Sequence, residues 1–404
     1  MAQPFSAIKI SRHVYWVGAI DWTIRNFHGY ATHRGSTYNA YLVMGEKPVL
    51  VDTVKKPFLS EMMARIASVV PPDKIETILS NHAEMDHTGA LPETIERVKP
   101  KQVFASPNGV KALENHFHWN RELTPVKDGE TLTLGDRTLA FVMTPMLHWP
   151  DSMFTYLPED KLLFSQDAFG MHLASTERFA DRIDADVLKC EAASYYANIL
   201  LPLSKFVARL IEKLPTLDLA IEIVAPDHGP IWRKDLDRII GWYADWSAQK
   251  PTRKAVIIYD TMWGSTDLMA RTIAEGLLEG GSSVKVLRMT ETHRSDVAAE
   301  ILDAGAILVG SPTLNNNIFP TLGDVLTYLK GLKPANRIGA VFGSYGWSGE
   351  AVKLLGQWLS DMQIEVVAEP VKSRFAPDES VLAQCRALGR TVAQTLQQRF
   401  QVAT

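Results

Sequence analysis

Thr77-Ile78-Leu79-Ser80-Asn81-His82-Ala83-Glu84-Met85-Asp86-His87 is the stretch on which the reading of this chain turns. A short apolar run with the character of a buried strand, Thr77–Ser80, leads into a loop holding His82, Glu84, Asp86 and His87. A lone histidine is usually a structural hydrogen-bonder, and a lone acid is usually solvated. Four such groups in one loop leaving a buried strand are the donor set of a metal site.

Outward from that loop the same pattern recurs. His148 precedes Trp149-Pro150-Asp151-Ser152, Asp167 closes Ser165-Gln166-Asp167, and His228 lies in Ala225-Pro226-Asp227-His228-Gly229. Each stands where an apolar run gives way to a loop, so all can converge on one edge of a sheet sandwich. Together they suffice for two metal ions if one carboxylate bridges, and Asp167 is the natural bridge. The runs Val14–Val17, Asn39–Val43, Pro48–Val51, Gln102–Ala105, Leu139–Thr144 and Leu162–Ser165 read as further strands. Helical periodicity marks Phe58–Val69, Val110–His116 and Leu203–Leu214. The expected first domain, residues 1–250, is therefore an α+β, αβ/βα-layered sandwich.

Lys250-Pro251-Thr252-Arg253-Lys254 reads as a linker, and after it the texture changes. Strands are expected at Ala255–Tyr259, Val284–Arg288, Ile307–Val309, Ile338–Phe342 and Glu365–Ala368. Helices follow at Thr266–Leu278, Ser295–Leu302, Thr321–Lys330, Gly349–Met362 and Asp378–Gln398. Regular alternation predicts a doubly wound α/β parallel sheet over residues 251–404. Ligands of such sheets sit beyond the carboxyl ends of the strands.

The loops at those ends describe a ligand. Thr261-Met262-Trp263-Gly264-Ser265-Thr266 joins the first strand to its helix with three hydroxyls and a glycine, a setting for a phosphate. An ordinary N-cap would use the same residue types. Pro312, Thr313, Asn315, Asn316 and Asn317 follow the third strand, and Ser344, Tyr345, Gly346, Trp347, Ser348 and Gly349 the fourth. Aromatic rings for stacking and amides for hydrogen bonding make a pocket for a flat ring carrying a monophosphate. No GxGxxG follows the first strand, so a dinucleotide fingerprint is absent. The glycines of Gly305 and Gly310 have triphosphate-loop spacing, but Ser311 stands where a lysine is needed.

Composition sets the outer limits. Of 404 residues, 46% are hydrophobic and 22% charged, as in a globular protein with a large core. The net charge of −4 and the lack of a basic block give nucleic acid no electrostatic foothold. No membrane-spanning run and no secretory leader are visible. Only Cys190 and Cys385 are present, with no CxxC, which excludes thiolate zinc, rubredoxin-type iron and four-cysteine clusters. A cytoplasmic setting is expected.

The second half resembles flavodoxin, which implies FMN; Trp263 departs from the usual flavodoxin loop, where threonine is frequent. The first half resembles the metallo-β-lactamase fold, whose motif is HxHxDH followed by distant His, Asp and His. Here Glu84 replaces the second histidine, and an added hard oxygen donor favours iron over zinc. The two together resemble the flavodiiron proteins, and among them the rubredoxin:oxygen oxidoreductases. That resemblance implies reduction of O2 to water, which takes four electrons, or of two NO to N2O, which takes two. It implies one iron on His82, Glu84 and His148, a second on Asp86, His87 and His228, and Asp167 between them. It further implies His28 and Tyr195 (or Tyr196) as pocket groups able to hydrogen-bond a diatomic. A head-to-tail homodimer or dimer of dimers, and an external carrier such as rubredoxin, are the implied assembly and partner. The competing reading is a zinc hydrolase of the lactamase class fused to a flavodoxin-like module.

Overall fold

The strand Thr77–Ser80 is internal to a seven-stranded sheet in the computed structural model, which describes residues 4–119 and 121–402. Its neighbours are Val49–Val51 and Gln102–Ala105, both parallel to it. The helices Leu59–Ala67 and Leu91–Val98 make the crossovers that parallel pairing requires. A five-stranded sheet, Thr131–Leu134, Arg137–Met143, Met153–Leu157, Leu162–Gln166 and Ile223–Pro226, faces it. Tyr41, Val43, Val49, Val51, Leu79 and Phe104 of one sheet share a core with Phe141, Met153, Leu157 and Phe164 of the other. Leu42, Leu50 and Ile78, on the opposite face, are buried as well, so that face is also covered. This is the expected αβ/βα sandwich.

The chain divides into two units, the first Met1–Tyr195 with Lys205–Ala244, the second Tyr196–Ser204 with Asp245–Thr404. The division falls at Ala244/Asp245 instead of Lys250, because Gln249 is tied into the second unit. Its backbone carbonyl accepts from Arg337 and its side-chain oxygen from the Ala335 N–H. The second unit also takes the segment Tyr196–Ser204, which the linear texture of the sequence does not mark.

In the second unit the parallel strands run in the order Ser283–Arg288, Lys254–Tyr259, Ala306–Pro312, Ile338–Tyr345, then Glu365–Val366 at the edge. That is the doubly wound order with its switch point beside the first strand. The strand expected at Glu365–Ala368 is broken: Glu365–Val366 and Val371–Arg374 each pair with Ile338–Tyr345. Pro370 lies in the interruption and has no N–H for the ladder. The helix expected from Val110 begins at Pro107, where Ser106 Oγ caps the Gly109 N–H at 2.9 Å and proline occupies the first turn. Helices Leu91–Val98, Ala185–Tyr195 and Leu236–Ser247 were not expected from the sequence.

Candidate metal centre

The carboxyl ends of the strands deliver every candidate ligand of the first unit. Thr77–Ser80 runs into His82 and Glu84 and then into the short helix Met85–Thr88, which carries Asp86 and His87. Arg137–Met143 is followed by His148, Leu162–Gln166 by Asp167, and Ile223–Pro226 by His228. Backbone strain accompanies the turn toward the site: Asp52 and Gln166 hold φ of 57° and 44°, both unusual for residues with a side chain. Gly229 sits at φ 74°, and a Cβ there would lie 2.6 Å from the Met171 carbonyl oxygen.

Ligand atoms gather in two groups. His82, Glu84, His148 and Asp167 form one and Asp86, His87 and His228 the other, with the donor atoms of each group within 4.8 Å of one another. Asp167 faces both. Its Oδ2 is 3.0 Å from His148 Nε2 and 3.5 Å from His82 Nε2. Its Oδ1 is 3.1 Å from His87 Nε2 and 3.4 Å from His228 Nε2. One oxygen toward each group is the disposition a bridging carboxylate needs. Glu84 Oε2 lies 3.2 Å from His82 Nε2 and 3.1 Å from His148 Nε2. Asp86 Oδ2 lies 3.1 Å from His228 Nε2.

The donor set fits a metal pair by its own chemistry. Both oxygens of Asp86, Oδ1 of Asp167 and both ring nitrogens of His87 are buried without a hydrogen-bond partner. Each such group costs roughly 1–3 kcal/mol if nothing satisfies it, and charged groups cost more. Burial disfavours the charged imidazole of His82, but Asp151, Glu84 and Asp167 outweigh it and hold His82 well above its ordinary range. Burial likewise opposes the carboxylate of Glu84, yet hydrogen bonds from His148, His28 and His82 keep it far below the carboxylate range. Asp167 follows the same balance, with His87 and His148 overcoming burial. A cluster of mutually stabilised cationic imidazoles and anionic carboxylates is one that divalent ions can replace proton for charge.

Behind the ligands stand residues that sequence patterning did not single out. Asp151 Oδ2 accepts from the Ala83 N–H at 2.6 Å and lies 3.5 Å from His82 Nδ1. His228 Nδ1 donates to the Thr37 carbonyl at 2.6 Å. Asp227 Oδ2 lies 3.7 Å from His87 Nδ1, and burial, then the neighbouring Asp52, pushes this carboxyl well above its usual range. Asp52 accepts from Asn81 N and Nδ2 at 2.7 and 2.8 Å, and burial raises it to about 6. Of these, the Thr37 carbonyl bonds an imidazole directly, whereas Asp151 and Asp227 stand behind Nδ1 of His82 and His87, and Asp52 fixes Asn81 at the start of the His82 loop. Asp151 and Asp227 each sit within three positions of a ligand in sequence, which was the available signal.

The pocket groups resolve unevenly. Tyr195 is buried, its hydroxyl has no hydrogen-bond partner, and its ring centroid lies 6.1 Å from that of His228. Tyr196 belongs to the second unit and bonds Ser204 Oγ at 3.2 Å. His28, at the turn between the short strands Asn26–Phe27 and Tyr30–Ala31, has its Nε2 committed to Glu84 Oε1 at 2.8 Å. His172, absent from the sequence reading, is buried 4.6 Å from His228 and 5.1 Å from Tyr195, ring to ring. It bonds Ser36 Oγ at 2.7 Å and the Tyr30 hydroxyl. Burial, and then His228, depresses its basicity well below the imidazole norm.

In the second unit a cavity of about 430 Å³ opens at the carboxyl ends of the strands. Met262, Trp263, Ser265, Pro312, Thr313, Asn315, Asn316 and the run Ser344–Ser348 line it, with Leu314 and Phe375 added to the expected set. Thr261, Gly264, Thr266, Asn317 and Gly349 are not on its wall. Thr261 Oγ1 accepts from the Gly264 N–H at 3.1 Å, Thr266 Oγ1 pairs with Ser344 Oγ at 2.9 Å, and Asn317 Oδ1 accepts from the Ile318 N–H at 2.8 Å. These side chains shape the loops. Helix Ser265–Glu279 starts at Gly264, φ 86°, with no side-chain cap, so its first N–H groups are left for an anion.

Known proteins resemble the chain along its whole length. Residues 37–229 match the ODP family beta lactamase and residues 257–389 match flavodoxin. A nitric oxide reductase of Moorella thermoacetica is 46% identical over 397 residues, 97% of this chain and 99% of the relative. The solved structure of rubredoxin oxygen:oxidoreductase from Desulfovibrio gigas superposes with a TM-score of 0.96 at 44% identity, covering 98% of this chain and 100% of its own. That of a flavodiiron protein from Giardia intestinalis gives 0.93 at 34% identity, with 97% of each chain covered.

Proposed function

The chain belongs to the flavodiiron proteins, and from that premise we propose that it reduces O2 to water, NO to N2O, or both. The site would hold a pair of iron ions, and FMN bound in the second unit would supply electrons taken from a small carrier such as rubredoxin. The observation that carries this reading is Asp167, one buried carboxylate with an oxygen toward each of two ligand groups. We assign His82, Glu84 and His148 to one iron, Asp86, His87 and His228 to the other, and Asp167 to both. When bound, the metal pair and the flavin supply redox chemistry that no side chain here can provide.

The chain's own residues do the rest. The Thr37 carbonyl, accepting from His228 Nδ1, holds His228 in the tautomer that leaves Nε2 toward the centre, and Asp151 and Asp227 place a carboxyl 3.5 and 3.7 Å behind Nδ1 of His82 and His87. Tyr195 offers a buried hydroxyl, free of other partners, as a proton donor to an oxygen atom of the substrate. Phe27 and Tyr195 pack against His228 and exclude bulk water from that side. In the second unit Trp347, Trp263 and Tyr345 give ring faces for a flat heterocycle, and the uncapped start of Ser265–Glu279 takes its phosphate.

Exposed apolar surface supports a head-to-tail homodimer, alone or as a dimer of dimers. Trp263 and Trp347 on the cavity rim are 93% and 89% exposed, and Phe375 beside them is exposed too. Met85, between ligands Glu84 and Asp86, and Trp22 are exposed apolar residues of the first unit. Large exposed apolar groups on both units, two of them on the rim of the cavity, are the complement a second copy can cover. The carrier reading rests on the name of the relative from Desulfovibrio gigas. Cytoplasmic placement rests on the low cysteine content. Among the described residues no helix is long and apolar enough to cross a membrane.

Anaerobic mixing of the reduced, iron- and FMN-loaded protein with O2 or NO tests the function. Flavin reoxidation coupled to consumption of at least one gas is expected; a reduced flavin that persists in the presence of both sinks the proposal.

A further inference from the structure

The two oxygens of Glu84 do different things. Oε2 is turned to His82 Nε2 and His148 Nε2 at 3.2 and 3.1 Å, among the ligand atoms of the first group. Oε1 accepts a hydrogen bond from His28 Nε2 at 2.8 Å. The Glu84 side chain is nearly buried, whereas that of His28 is 65% exposed, so the bond is made from the solvent side inward. We propose that His28 is a positioning residue that holds Glu84 to a single metal-binding oxygen: with Oε1 engaged, only Oε2 is presented to the metal. This rests on the reading of the first group as a metal site.

The hairpin is built to place that one nitrogen. Asn26–Phe27 and Tyr30–Ala31 pair antiparallel, and the two residues between them, His28 and Gly29, have φ of 50° and 87°. Positive φ at both central positions is the mirror-type turn that matches strand twist, for which Asn-Gly is the favoured pair. A non-glycine residue at positive φ is uncommon, and histidine, with asparagine and aspartate, is among those that tolerate it. Phe27 roots the hairpin, packing on His28 at 4.3 Å and on His172 at 4.6 Å between ring centroids. Asn26 Oδ1, accepting from the Gly29 N–H at 3.0 Å, holds the turn together with Phe27, and the imidazole of His28 is turned to Glu84. A carboxylate free to use both oxygens would fill an additional coordination position, one that a substrate needs. Holding one oxygen aside keeps that position open.

Two substitutions separate positioning from folding. His28→Asn restores the favoured Asn-Gly turn but is too short to reach Glu84; His28→Gln keeps an N–H donor near the reach of Nε2. The iron-loaded wild type and both variants are compared by crystal structure for the number of Glu84 oxygens on the metal. Iron retention against a competing chelator is measured alongside. We expect one Glu84 oxygen in wild type and His28→Gln. In His28→Asn we expect two, with iron affinity altered by about 10-fold or more, the range of outer-partner losses. A single Glu84 oxygen and unchanged iron affinity in His28→Asn overturns the proposal while leaving the metal site standing. A wild-type chain that takes up no metal on Glu84 overturns the metal reading first and this with it.

Discussion

The two candidate sites of this chain are built on opposite plans. In the first unit, ligands from four loops scattered between His82 and His228 meet in the interior, and Asp86, Asp167 and His87 keep polar atoms there without protein partners. In the second, contiguous loops at neighbouring strand ends form an open cavity whose rim carries Trp263 and Trp347 almost wholly exposed. A buried polar cluster is costly unless filled, so the first site has its stability tied to its ligand. An apolar rim is incomplete until a ring or a second chain covers it, so the second site has its affinity tied to stacking. The same molecule therefore carries one centre that its metal holds together and one that its cofactor merely caps.

The sharpest break in that comparison is Asp167→Asn. An amide cannot bridge two cations as a carboxylate does, so iron content should fall from two per chain to one or none. Gas reduction should fall by more than about 100-fold, beyond the 10–100-fold that loss of an outer partner costs. FMN content should be unchanged. Retention of two irons in this variant, measured by elemental analysis, would remove Asp167 from its central place.

Stability offers the next contrast. Iron at about 100 times its Kd stabilises the state that binds it by about 2.7 kcal/mol, or roughly 5–10 °C in melting temperature for a unit of this size. Calorimetry before and after chelation should show the transition of the first unit falling by that amount and the second unit's barely moving. Removal of FMN should do the reverse. Equal shifts in both transitions under either treatment would show that the two sites are not energetically distinct.

Trp347→Ala should give the smallest effect. Loss of one exposed stacking face costs about 1 kcal/mol, roughly a fivefold rise in the Kd for FMN, with iron content untouched. A rise of more than about 100-fold would mean that the rim is part of a rigid enclosure rather than a cap.

What the sequence disclosed follows from how far apart the cooperating residues lie. His82, Glu84, Asp86 and His87 are legible because a single loop after a buried strand carries all of them, and the doubly wound second half because strand and helix alternate without interruption. Asp151 and Asp227 lie close in sequence to His148 and His228, but only folding puts them behind His82 and His87, and Asp52 reaches the same loop only through Asn81. His172 becomes visible only when Phe27, Tyr195 and His228 close around it. The hydrogen bond of His28 to Glu84 spans two loops whose approach no local pattern encodes. Helix Leu91–Val98 was hidden by Pro92 near its start, a position that tolerates proline because the N–H there has no helical partner. The edge strand broken at Pro370 was hidden by an apolar run that looked continuous through Ala368.

Elemental analysis of the purified chain, paired with quantification of its released flavin, tests the account most directly. Two irons and one FMN per chain are predicted. Two zinc ions in their place, or a chain that keeps its fold and its flavin while binding no iron, would contradict it.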